Sequence, residues 1–129
     1  MNEQPPPDTR VPWLRTVAMP AAANPNGDIF GGWLMAQMDI AGGSYAYEVA
    51  RGRVVTVAVE GMAFHKPVNM GDLVSCYCDT HRIGNTSITV AVETWVRGRS
   101  SGSQVKVTEG LFTFVAIDEQ GRPRPVRDG

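Results

Sequence analysis

The chain has 129 residues, which suits one compact domain and leaves little room for a second. Residues of the AVILMFWYC set make up 43% and charged residues only 19%, so the chain can bury a core and is not disordered as a whole. With 12 Lys+Arg against 13 Asp+Glu the net charge is −1, which argues against a broadly basic nucleic-acid-binding surface. No uninterrupted apolar run is long enough to span a bilayer, and the opening MNEQPPPDTR lacks the basic-then-apolar pattern of a secretory signal. A soluble, cytoplasmic protein without membrane or nucleic-acid partners is the expectation.

In chain order, residues 1–10 carry Pro5-Pro6-Pro7 and read as a flexible lead-in to a domain over 11–118. A short first strand is predicted within 11–19. Residues 21–30 form a loop, because Asn24-Pro25 and Asn26-Gly27 are both turn signals. Residues 31–50 are free of proline and of β-branched runs and predict the only helix. That helix is apolar almost all round, so it should be buried on nearly every side. Gly42 and Gly43 each weaken it by roughly 1 kcal/mol relative to alanine, which suggests close backbone approach there.

The remainder alternates as strands over 53–64, 72–82, 86–97 and 104–117, with a turn at Gly84-Asn85. After Asp118 the composition turns polar, and 119–129 reads as a surface tail. One helix followed by an antiparallel meander predicts an α+β domain whose sheet curls around the helix. A single sheet cannot cover so apolar a helix, so association is expected, by joined edge strands or facing helices.

Cys76 and Cys78 are spaced i,i+2 and should share one strand face, a poor geometry for a disulfide. Too few thiol or imidazole partners lie nearby for zinc, and His81 alternates to the opposite face. Two reduced, buried thiols are expected.

Asp39 is the most informative residue. It lies mid-helix, away from the termini where the dipole would explain a carboxylate. Its helical neighbours are Met35, Ala36, Gly42 and Gly43, with Gly32 and Ala46 continuing the strip. A carboxylate there needs a hydrogen-bond partner, water or a ligand. It is either a structural aspartate or a general base or nucleophile with room for a substrate beside it.

The second feature is NPNGDIFGG, Asn24 to Gly32, leading straight into the helix. Free amides at the helix start can polarise a carbonyl or hold an anion, and Gly31 and Gly32 permit close approach. The plainer reading makes Asp28 a simple helix cap. No Lys-Ser/Thr follows the glycines, so this is not a Walker loop. Ser44, Ser75 and Ser87 lack a nucleophile-elbow motif. His65, His81, Glu60 and Glu109 read as structural or exposed, as do Arg97, Arg99, Arg122, Arg124 and Arg127.

At these residues the sequence is familiar. LRTVAMPAAANPNGDIFGGWLMAQMDIAGG and GRVVTVAVEGMAFHKPVNMGDLVSCY resemble the YciA-type bacterial acyl-CoA thioesterases, and are similar to each repeat of the eukaryotic cytosolic long-chain acyl-CoA hydrolases. The likeness runs from about Leu14 to Pro125. It implies the hotdog fold and a dimer in which two sheets join edge to edge, often assembled as a trimer of dimers. By position it places the catalytic aspartate on Asp39 and the assisting asparagine on Asn24, where Pro25 replaces the small residue expected next to it. It places the amide facing the thioester carbonyl in Phe30-Gly31-Gly32, with Gly32 N–H as donor. Lys66 and Ser87 match family sequence and are expected near the CoA. In relatives the asparagine and aspartate of one site come from different subunits.

The expected activity is hydrolysis of acyl-CoA to a carboxylic acid and CoA, with Asp39 as general base or as nucleophile. CoA is then part of the substrate, and no metal or other cofactor is implied. The alternative is a non-catalytic acyl-CoA sensor on the same fold. A hydratase would want a His–Asp pair in the helix region, which the chain lacks.

Overall fold

The computed structural model describes residues 10–98 and 102–126. The lead-in expected over 1–10 therefore lies, apart from Arg10, outside the described residues, as do Arg99 and Arg127. In chain order the elements are β1 (Leu14–Val17), a 3-10 turn (Pro20–Ala22), α1 (Gly31–Ala50), β2 (Val54–Phe64), β3 (Leu73–Ile83), β4 (Ser87–Arg97) and β5 (Gln104–Ala116). They form one antiparallel five-stranded sheet, in the order β1-β3-β4-β5-β2, laid around the single helix. This is the hotdog arrangement.

The meander expectation holds for β3, β4 and β5 only. β2 does not pair with the strand that follows it. It crosses to the far edge and joins β5, with Val54 opposite Ala116 and Phe64 opposite Thr108. The break has a local cause, since Pro67 follows β2 and cannot donate to a ladder.

The core lies between one helix face and the concave sheet face. Met38, Ala41 and Ala46 pack with Ile88, Val90, Val92, Phe112, Phe114, Cys76 and Cys78. Leu34 packs with Ile29, Val68, Val74, Val96 and Val107 nearer the helix start. Full burial of side chains such as Phe112 and Phe114, each 1% exposed, stabilises by about 1.5–3 kcal/mol apiece. A Cβ on Gly42 would lie 3.2 Å from the Phe114 ring and 3.3 Å from Val92, so the close approach read from the sequence is real there.

The opposite helix face is open. Ile40 and Tyr47 are 55% and 52% exposed, and Val55, Val57 and Val59 stand exposed on the edge strand β2. The helix is thus buried on one side only within a single chain. An edge with a row of exposed valines is the kind of surface that a second sheet covers.

The surface-tail reading of 119–129 stops short. Ile117 bridges to Pro123, and Val126 is buried among Ala50 and Ala116. Arg124 Nη2 donates to Ala50 O at 2.8 Å, placing a cation on the negative end of the helix. The composition there is polar, but one arginine and one valine fasten the segment to the helix end.

Candidate active site

The loop before the helix is built by Asn24. Its side-chain oxygen accepts the amides of Asn26 (2.9 Å) and Asp28 (3.1 Å), and its backbone N–H donates to Asp28 O at 2.7 Å. Gly27, at φ 89°, supplies the left-handed residue that closes this turn. Asp28 is not the helix cap. It bridges to Asn69 instead, and Phe30 occupies the cap position with no side-chain hydrogen bond to the first turn. The Gly31 and Gly32 amides therefore open the helix with neither an intrahelical acceptor nor a capping side chain. Gly32 has open space where a Cβ would stand, while at Gly31 a Cβ would lie 3.3 Å from Phe64. Phe30 is exposed.

Asp39 is half-buried on the open helix face. Thr56 of β2 donates its hydroxyl hydrogen to Asp39 Oδ1 at 2.6 Å, and Oδ2 takes no protein donor among the described residues. The carboxylate borders a cleft of about 560 Å³ of mixed lining, apolar at Trp13, Ile40, Val54 and Phe114 and polar at Ser44, Glu48 and Arg53, with Gly43 among its residues. Trp13 stands edge-on to Tyr45 with ring centroids 5.3 Å apart, and the Tyr45 hydroxyl is 2.7 Å from Thr80 Oγ1. A carboxylate with one fixed and one open oxygen beside a partly apolar cleft can take a proton from water or attack a carbonyl.

The remaining sequence-derived candidates fall into separate places. Gly31 and Lys66 border a second hollow of about 330 Å³ at the helix start, with Phe64 and His65. Asp39 is about 12 Å further along the axis at 1.5 Å per residue. Asn24 borders neither hollow. Ser87 opens β4 opposite Val115, next to the inward-facing Ile88. It lies on the outer sheet face at the opposite end from Lys66. One chain thus brings Asp39 to the larger cleft and Gly31 to Lys66, but does not gather Asn24, Asp39 and Ser87.

Sequence reasoning missed Thr56 and the aromatic walls. The usable signal was a lone hydroxyl in the valine run 54–59. Glu109, read as structural or exposed, receives His65 Nε2 at 2.9 Å and Lys106 Nζ at 3.0 Å. Those bonds, His65 first, hold its carboxyl below the ordinary value. Burial pushes the Cys76 thiol up to about 11 and the Cys78 thiol up to about 12. Among the described residues no group of three or more His, Cys, Asp or Glu side chains is placed to hold a metal ion.

Comparison with known proteins places the chain in a family. The family model of the thioesterase superfamily matches residues 26–102. The acyl-CoA thioester hydrolase YciA of Salmonella typhimurium is 56% identical over 116 residues, 88% of this chain and 87% of that protein. YciA of Escherichia coli K12 is 55% identical over 114 residues, 86% of each. The hexameric thioesterase y2039 from Yersinia pestis superposes with a TM-score of 0.87 at 53% identity, covering 94% of this chain and 98% of that one. HI0827, described as a hexameric broad-specificity acyl-coenzyme A thioesterase and crystallised as an aspartate-to-alanine variant, gives 0.87 at 49% identity, covering 92% and 88%. With the family model covering 26–102 and relatives above half identical over most of their length, the chain belongs to the thioesterase superfamily, in its YciA group of acyl-CoA thioester hydrolases.

Proposed function

We propose that this protein hydrolyses acyl-CoA thioesters to carboxylic acids and CoA, and that Asp39 supplies the reacting carboxylate. The observation that carries the reading is the Asp39 environment: Oδ1 fixed by Thr56, Oδ2 without a protein donor among the described residues, and a partly apolar cleft alongside. In this reading Gly32 N–H, at the positive helix end, polarises the thioester carbonyl, and Asn24 orients the water or the carbonyl. Phe30, Gly31, Lys66 and Ser87 flank the CoA moiety. Asp39 acts as general base toward water, or attacks to give a mixed anhydride that water then cleaves. CoA enters as substrate and leaves as product, and no resident cofactor takes part.

The two halves of the site belong to neighbouring subunits in this proposal. That accounts for the separation of Asn24 and Asp39 within one chain, for the open helix face and for the exposed valines of β2. The β2 edges join two sheets into a dimer, and three dimers make the hexamer, in keeping with the hexameric relatives. The protein works in the cytoplasm, where a reducing milieu suits its two buried thiols.

The test is thiol release from acyl-CoA substrates of short to long chain, run beside Asp39→Ala. Loss of a general base lowers the rate about 10²–10⁴-fold, and loss of a nucleophile lowers it more. Full turnover by a folded Asp39→Ala protein would remove Asp39 from the chemistry.

A further inference from the structure

The two adjacent glycines of the helix have different surroundings. Gly42 faces the core, where a Cβ would press on Phe114 and Val92 at 3.2–3.3 Å. Packing alone explains it. At Gly43 an added Cβ would meet only the Phe114 ring edge, at 3.6 Å, an ordinary contact. Neither is among the positive-φ glycines. Within one chain nothing steric or conformational therefore requires glycine at 43, and glycine is the poorest residue short of proline in a helix interior.

What Gly43 does have is a place in the lining of the Asp39 cleft, whose apolar part is Trp13, Ile40, Val54 and Phe114 and whose polar part includes Ser44, Glu48 and Arg53. It sits one helical turn beyond Asp39, about 6 Å along the axis. A substituent on a carbonyl carbon at Asp39 can run past Gly43 along the apolar part of the lining, Ile40, Val54 and Phe114, which suits an alkyl chain, while Glu48 and Arg53 border the rest. Resting on the thioesterase reading above, we propose that Gly43 is a specificity-determining residue, whose missing side chain leaves room for the acyl chain past the first turn. The helix gives up stability at this position to keep the cleft deep.

The test measures kcat/KM for acetyl-CoA and for the longest acyl-CoA that the unsubstituted protein turns over, in Gly43→Ala, Gly43→Leu and Gly42→Ala, with Tm and oligomer mass for each. Gly43→Ala is expected to raise Tm by about 2–6 °C and to lower the long-to-short kcat/KM ratio. Gly43→Leu is expected to lower that ratio tenfold or more. Gly42→Ala is expected to lower Tm and leave the ratio alone. An unchanged ratio in Gly43→Leu overturns the proposal. So does dissociation of the oligomer by Gly43→Ala, which would make the glycine a subunit contact. Absence of thiol release by the unsubstituted protein from every substrate would instead sink the thioesterase reading itself.

Discussion

Thr56 and Asp39 are joined across the gap between β2 and the helix by a hydrogen bond of 2.6 Å, the threonine donating to Oδ1. The bond fixes one carboxylate oxygen and leaves the other without a protein donor among the described residues. It also ties the proposed reacting group to the edge strand that a second subunit is proposed to cover. Anything that disturbs that edge therefore reaches Asp39 through one side chain.

The threonine is expected to act through the aspartate. Thr56→Val removes the donor and should lower kcat about tenfold, equivalent to ~1.4 kcal/mol, whereas Thr56→Ser should restore most of it. KM should move less than kcat, because the bond orients the carboxylate and does not hold the substrate. Equal kcat values for Thr56→Val and the unsubstituted protein would show that Asp39 needs no such tether.

Shared sites make a separate prediction. Asn24→Ala and Asp39→Ala proteins should each be nearly inactive alone. Mixed after dissociation and reassembly, they should regain part of the activity, since some sites then receive an intact Asn24 from one chain and an intact Asp39 from another. Mixed oligomers confirmed by mass yet inactive would place both residues of each site in one chain.

The buried thiols should be silent in the native state. With Cys76 at about 11 and Cys78 at about 12, the thiolate is scarce at neutral pH and poorly accessible. A thiol reagent that reads released CoA should see no fast background from the folded protein and two thiols per chain after denaturation. The sign of the linkage follows from the raised values. Thiols that ionise near 9.0 when unfolded but higher when folded stabilise fully below 9.0, and that contribution is lost as pH rises toward 11–12. Alkaline melts of a Cys76→Ala/Cys78→Ala protein should show a shallower decline.

Glu109 should control part of the acid limb. Its carboxyl is held below the ordinary 4.5 by His65 and then Lys106. The stabilisation is thus present above 4.5 and lost as pH falls through the lower folded value. Glu109→Gln should flatten the decline of Tm with acidification and have little effect on its slope at neutral pH. An identical acid limb in both proteins would mean that the His65–Glu109–Lys106 cluster contributes no net stability.

Some of this was legible in the sequence because local rules decided it. The helix over 31–50 follows from composition and the flanking glycine and proline signals, and it is observed at Gly31–Ala50. Away from the register shift at Thr94–Trp95, the inward side of β4 and β5 follows from alternation, with Ile88, Val90 and Val92 inward and Phe112 and Phe114 beside them. What alternation cannot encode is which strand lies next to which. The valines of β2 read as ordinary strand residues, and only the crossing to β5 makes them an exposed edge. Asp28 looked like a cap because its type and position suit one, but the bridge to Asn69 claims that stretch of backbone. Thr56 carried too little local signal to be singled out, since its meaning depends on a helix residue 17 positions earlier.

The crossing of β2 also has a consequence for how the chain is made. β2 is complete at Phe64, yet its ladder partner runs from Thr108 to Ala116, close to the last described residues. During synthesis β3 and β4 can zip as a hairpin through Gly84, while β2 waits with its valines bare and the helix floor unfinished. Every pairing that secures it spans 44 residues or more of chain (Phe64 to Thr108 being the shortest). Such long closures are slow to form and leave an unpaired strand exposed in the meantime. Release of the last strand from the ribosome is therefore the event that completes the sheet, and mutations that delay β5 should appear first as aggregation of nascent chains, before any effect on the mature enzyme.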